Sequence, residues 1–149
     1  MNTIQIDEKL KHIPTFLGAF PYDQMPKSKK HSYSLIVNTE PSTGEGDHWL
    51  ALIFREKKFW FMDSFGRSYD DLTFPPEFIE TIKKYISNYP CFANGKILQQ
   101  FTSDSCGYYA CYFVHMFSKK ILPDCILSNF TGNLKHNDMF VKEYVTDNI

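Results

Sequence analysis

Several things are missing from this sequence, and each absence removes a class of protein. No apolar run approaches the ~18 residues that a bilayer span requires, and residues 1–8 lack the charged-then-apolar pattern of a secretory leader. The protein is therefore expected inside a cell, away from membranes. Cysteine is scarce: Cys91, Cys106, Cys111 and Cys125 fall in no paired CxxC spacing, which excludes a zinc site or a secreted disulfide framework and leaves free thiols. A dominant charge is also lacking, since 16 Lys and Arg face 17 Asp and Glu for a formal net charge of -1. No global positive field draws such a chain onto nucleic acid. The densest basic run, Lys27-Ser28-Lys29-Lys30-His31, reads as a solvated loop in preference to a polyanion contact. Repeats, low-complexity tracts, long linkers and phosphate-binding glycine loops are absent too. Residues 1–149 are read as one domain, expected as a monomer with no metal and no cofactor.

What is present is aromatic. Phe, Trp and Tyr make up 17% of the chain, with 14 Phe and 9 Tyr. A domain of this length buries about 68 to 70% of its unfolded surface, so these rings can fill a core and line part of a groove.

Periodicity sets out the elements. Residues 7–12 suit a short helix ended by Pro14, and Phe16 to Lys30, broken by Gly18, Pro21 and Pro26, suits an ordered loop. Ser34 to Asn38 is a short β-branched run fit for a buried strand; His48 to Phe54 and Lys58 to Asp63 suit two more, joined as a hairpin through the polar Arg55-Glu56-Lys57-Lys58. Pro75-Pro76-Glu77 opens a helix to about Asn88, with Phe78, Ile79, Ile82, Tyr85 and Ile86 at helical spacing. Lys96 to Phe101 is a fourth strand candidate. Cys106 to Phe117 is apolar on all sides, as a buried central helix is, and Ser103, Asp104 and Ser105 are N-cap residue types that start it near Cys106. A last helix is expected over Asn137 to Thr146. The expected class is α+β: a mostly antiparallel sheet packed against a buried central helix that bears a thiol.

That thiol is the leading candidate for chemistry. Cys106 stands where a helix N-terminus carries roughly half a positive charge, a field that favours thiolate. Alone it would be a packing cysteine, but Gly107 lets backbone come close and Gln100 lies six residues upstream, placed to donate to an oxyanion. Gln99 is the alternate donor, because neighbours in a strand face opposite sides. His48, at a loop-to-strand junction with Trp49 beside it as a shield for the cleft, is the base candidate. His115 lies nine residues beyond Cys106 on the same helix, too far for proton transfer. His31 and His136 read as surface. Asp63 ends an apolar strand, where a carboxylate needs a partner, and His48 across the hairpin supplies one. Asp47 competes but is adjacent to His48 in sequence. Cys111, roughly 140° around the helix from Cys106, reads as packing. The chemistry such a set supports is nucleophilic cleavage of a peptide bond.

The motifs resemble those of adenain, the adenovirus maturation protease, and its relatives in virophages and virus-like DNA transposons. The similarity runs through Phe16-Leu17-Gly18, Ile36-Val37-Asn38-Thr39, Gly46-Asp47-His48-Trp49-Leu50-Ala51, Phe61-Met62-Asp63-Ser64-Phe65-Gly66 and Ser105-Cys106-Gly107-Tyr108-Tyr109, with Asp where adenain has Glu. Asn129-Phe130-Thr131-Gly132-Asn133 resembles a later turn. The His-Trp, Asp and Cys-Gly motifs are shared with the proteases that process ubiquitin-like modifiers such as SUMO. The resemblance implies a cysteine endopeptidase with Cys106, His48 and Asp63 as its catalytic residues. Capsid and precursor proteins would be its substrates, cut near small residues in an infected cell and in the virion. It also implies an activating peptide linked through a cysteine, for which Cys91 is the candidate. DNA activation, a property of basic adenain, does not suit an acidic chain of pI about 6.5. The alternatives are a protease acting on ubiquitin-like tails and a catalytically silent binding module.

Overall fold

Strands that are apolar at nearly every position call for cover on both faces. The computed structural model, which describes residues 1–149, shows that arrangement. Helix α1 (Thr3–Leu10) leads to strand β1 (Phe16–Pro21), a 3-10 turn at Tyr22–Gln24, and strands β2 (Ser32–Asn38), β3 (Trp49–Arg55) and β4 (Lys58–Met62). Helix α2 (Pro76–Ile86) and strand β5 (Cys91–Ala93) follow, then helices α3 (Cys106–Ser118), α4 (Pro123–Leu127) and α5 (Leu134–Asn148).

The five strands lie in sequence order in one sheet. Its centre is antiparallel, with Leu35 opposite Leu52 and Ala51 opposite Met62. Both edges are parallel, β1 along β2 and β5 along β4. Alternation along the strands sorts side chains to two faces. Ile36, Ala51, Ile53 and Met62 pack with α1, α3 and α5, whereas Leu35, Val37, Leu50, Leu52, Phe59 and Phe61 pack against Phe78, Ile82 and Ile86 of α2. Each of the Val, Leu, Ile, Met and Phe side chains contributes about 1.5–3 kcal/mol on full burial. Helix α3 is apolar all round because sheet and helices enclose it; Tyr109, Tyr112 and Phe113 are completely buried.

The hairpin, α2 and α3 form where the patterning places them, and α5 contains the expected Asn137 to Thr146 but starts at Leu134, where Asn133 accepts from the His136 N–H as its cap. Other segments differ. Helix α1 begins at Thr3, ahead of the expected 7–12, because Asn2 and Gln5 close a capping box across its first turn. Phe16–Pro21 is a strand where a loop was expected: an edge tolerates Pro21 at its end, and Gly18, at φ +129°, sits at an irregularity in the pairing. Lys96 to Phe101 is not a strand. Leu98 and Gln99 both donate backbone N–H to the Ser64 carbonyl, at 2.8 and 3.2 Å, which ties down a loop without building a ladder. Cys91–Ala93 takes the sheet edge instead. Ser105 is the N-cap of α3 but gives no side-chain cap. No helix is long and apolar enough to cross a membrane.

Candidate active site

Antiparallel pairing of β3 with β4 brings the start of one strand and the end of the other to the same edge of the sheet. His48 immediately precedes β3 and Asp63 immediately follows β4. Their side chains meet with His48 Nε2 2.6 Å from Asp63 Oδ1, at 7% and 0% exposure. Helix α3 packs on β3 and presents its first residue, Cys106, to the same imidazole. With Nε2 committed to Asp63, Nδ1 is the nitrogen left for the thiol.

Asp63 is held from every side. Its Oδ2 accepts from Arg67 Nε at 2.8 Å and from the Arg67 backbone N–H at 3.3 Å, and its own N–H donates to Asn94 Oδ1 at 3.0 Å. The turn beyond it depends on Gly66, at φ +75°, where a Cβ would lie 2.7 Å from the Lys96 backbone. Arg67 also sits over Phe74, its guanidinium carbon 3.9 Å from the ring centre.

The electrostatics follow from burial set against partners. Burial lifts the Asp63 carboxyl, but hydrogen bonds and charge from His48 and Arg67 outweigh it and hold Asp63 below the usual carboxylate range. Burial disfavours the His48 cation, yet Asp63 and Cys106 raise the imidazole to about 9. Burial likewise pushes the Cys106 thiol up. His48, together with the backbone N–H groups of Trp49 and Gly107, brings it below its ordinary value. These directions favour a thiolate–imidazolium pair at neutral pH. The missing side-chain cap on α3 fits this: a first-turn N–H, that of Gly107, is turned to the sulfur.

An open cleft of about 1210 Å³ lies over the thiol. Trp49 and Phe65 line it, as expected for an aromatic shield, but the ring stacked on His48 is Phe65, with centroids 5.2 Å apart and planes 23° apart. The Trp49 indole N–H instead donates to the Met1 carbonyl at 2.9 Å. Of the two glutamines, Gln99 and not Gln100 lines the cleft. Gln99 is 1% exposed, while Gln100 turns away and its backbone N–H approaches Asp138 Oδ2 at 3.4 Å. The six-residue spacing to Gln100 misleads because the segment is an irregular loop, in which strand alternation has no hold.

The remaining candidates separate cleanly. Asp47 is exposed and makes no bond to His48. His115 is buried against the Tyr144 hydroxyl at 3.2 Å, and His31 and His136 are exposed. Cys111 is fully buried in the core and pushed up to about 12. Cys91 sits half-buried on β5, where burial raises its thiol to about 12. No group of three or more His, Cys, Asp or Glu side chains gathers to hold a metal ion. Sequence reasoning passed over Ser64, Phe65, Arg67 and Asn94. Arg67, four residues after Asp63 and beyond a turn glycine, carried the one usable signal.

A half-buried thiol in line with a buried imidazole and carboxylate at a cleft defines the cysteine-protease class of sites. The chain belongs to the Ulp1 protease family, whose C-terminal catalytic domain matches residues 27–148. This is the clan that the His-Trp, Asp and Cys-Gly motifs resemble. Among solved structures, a crystal structure of an ASFV protease matches with a TM-score of 0.58 at 16% identity, covering 94% of this chain and 65% of that one. Its selenomethionine form gives 0.57 at 14%, covering 95% and 66%. That likeness is one of fold, and this chain spans just under two thirds of those proteases' length. Comparison with curated proteins found no match.

Proposed function

We propose that the protein is a cysteine endopeptidase acting on protein substrates. The observation that carries this reading is one imidazole bridging a buried carboxylate, 2.6 Å from Nε2, and the thiol at the start of α3. The Cys106 thiolate attacks the scissile carbonyl carbon, and the carbonyl electron pair moves to oxygen. The Gln99 amide and the Cys106 backbone N–H stabilise that oxyanion. His48, held by Asp63, protonates the leaving amine, and water activated by the same imidazole then hydrolyses the thioester.

Capsid or other precursor proteins of a virus, processed in the infected cell and the virion, are the substrates we favour. The motif resemblance to adenain supports this, and so does a shared fold with a viral protease. The family match supports a second reading, removal or processing of ubiquitin-like modifiers. Cys106→Ala protein serves as the control for both. Cleavage of a precursor proteome with no release of a C-terminal fluorogenic group from SUMO or ubiquitin supports the first. The reverse supports the second, and loss of neither activity on Cys106→Ala rejects the enzyme. A silent binding module would show Cys106 labelled by iodoacetamide no faster than Cys91.

We propose no cofactor and no DNA requirement. Burial raises the Cys91 thiol to about 12, which disfavours the thiolate that disulfide exchange with an activating peptide would need.

A further inference from the structure

The amide of Gln99 is gripped from behind, and the grip dictates which of its ends faces the cleft. Its two ends touch Ser103 and Ser64: Nε2 lies 2.8 Å from the Ser103 carbonyl, and Oε1 lies 2.5 Å from the Ser64 hydroxyl. A main-chain carbonyl only accepts, so the group against Ser103 must be the NH2 end, and the other end must be the oxygen that receives the Ser64 proton. Ser64 is 1% exposed, and its own carbonyl takes the backbone N–H groups of both Leu98 and Gln99. It therefore fixes Gln99 at main chain and side chain together. One Nε2 hydrogen goes to Ser103; the second has no partner within the protein, and Gln99 shares the cleft with Cys106.

We propose that Ser64 is a positioning residue for the oxyanion site: its hydroxyl orients the Gln99 amide so that N–H, and not C=O, meets the developing negative oxygen. This rests on the peptidase reading above. A rotated amide would set oxygen against oxygen and turn stabilisation into repulsion. Adjacent residues at the end of β4 thus serve two different groups, Asp63 the imidazole and Ser64 the amide.

The test compares Ser64→Ala, Ser64→Cys, Gln99→Ala and Ser64→Ala/Gln99→Ala on a peptide that the unaltered protein cleaves, with the pH profile of Cys106 alkylation as a second readout. Removing an oxyanion donor costs about 10²–10³ in kcat, so Gln99→Ala should fall in that range and Ser64→Ala should lose about 10–10², with KM within about two-fold. Ser64→Cys, a weaker donor of similar size, should lie between Ser64→Ala and the unaltered protein. The double variant should be no worse than Gln99→Ala, and every alkylation profile should match the unaltered one. Unchanged kcat in Ser64→Ala, losses that multiply in the double variant, or a shifted alkylation profile overturns the assignment. If Ser64→Ala does not fold, Ser64→Cys alone and with Gln99→Ala carries the same comparison. An unaltered protein that cleaves no peptide overturns the peptidase reading and the assignment with it, whereas a fully active Ser64→Ala overturns the assignment alone.

Discussion

At residue 106 burial and hydrogen bonding oppose each other, and hydrogen bonding prevails. The thiol is lowered although burial alone would raise it, and His48 is the largest source of the difference. Alkylation of Cys106, followed by mass spectrometry against pH, should therefore begin below the ordinary thiol range. Peptidase kcat/KM should trace a bell whose alkaline limb falls near pH 9, as His48 loses its proton. Replacing His48 by Ala removes that support and leaves the burial cost. Labelling at neutral pH should then slow by at least ~10-fold and kcat/KM should fall by about 10²–10⁴. Asp63→Asn should cost less activity than His48→Ala, since it removes an orienting charge and not the base. It should also cost about 1–3 kcal/mol of stability, because Arg67 loses its carboxylate, and calorimetry would read this as a lower Tm. Cys106, His48 and Asp63 were readable from residue type and position. The choice of Gln99 over Gln100 was not, since it depends on a loop fastened to Ser64 from 35 residues away in sequence.

Among the elements, those governed by local pattern are the ones that sequence reading finds. The β3–β4 hairpin follows from two apolar runs and a polar two-residue turn, although Glu56 and Lys57 take φ of 54° and 61° without being Asn or Gly. Helix α3 follows from an unbroken apolar stretch. Strand β1 escapes because Gly18 and Pro21 break its pattern and β5 because it is three residues long, and both exist through parallel pairing at the sheet edges. Two expectations belong at this scale. Gly66→Ala should destabilise the protein by about 1–3 kcal/mol in urea unfolding, since its backbone is left-handed and Lys96 leaves no room for a Cβ. The loop joining β2 to β3 is pinned by Asn38 Oδ1, which accepts from the N–H groups of Glu40 and Asp47, and by Asp23, which accepts from Ser42. Glu40, Glu45 and Asp47 from that loop line the cleft, and the two basic side chains lining it, His48 and Arg67, are both engaged with Asp63. Peptides with Lys or Arg beside the scissile bond should therefore show higher kcat/KM than their Glu counterparts. Added salt should shrink the difference.

For the molecule as a whole, the buried His48–Asp63 pair also enters the stability balance. Asp63 has a folded value below its unfolded one, so its contribution is present above the ordinary carboxylate range and is lost as pH falls through the depressed value. His48 works in the opposite direction: its value is raised, so its contribution is full below the unfolded value and is lost as pH rises through about 9. Urea titrations across pH should show both limbs, and Asp63→Asn should flatten the acid one. Hydrophobic spacing, proline and glycine placement and the types of residue at 48, 63 and 106 were enough to indicate the class of fold, the buried helix and the three side chains that meet in the cleft, because those signals act over a few residues. Three matters were decided only by tertiary contact: the two edge strands, the guanidinium and asparagine behind Asp63, and the amide that faces the thiol. The sheet edges, Asn94 and Gln99 depend on atoms that the chain brings together across long stretches, and Arg67, though only four residues from Asp63, reaches it through a turn that no periodicity encodes.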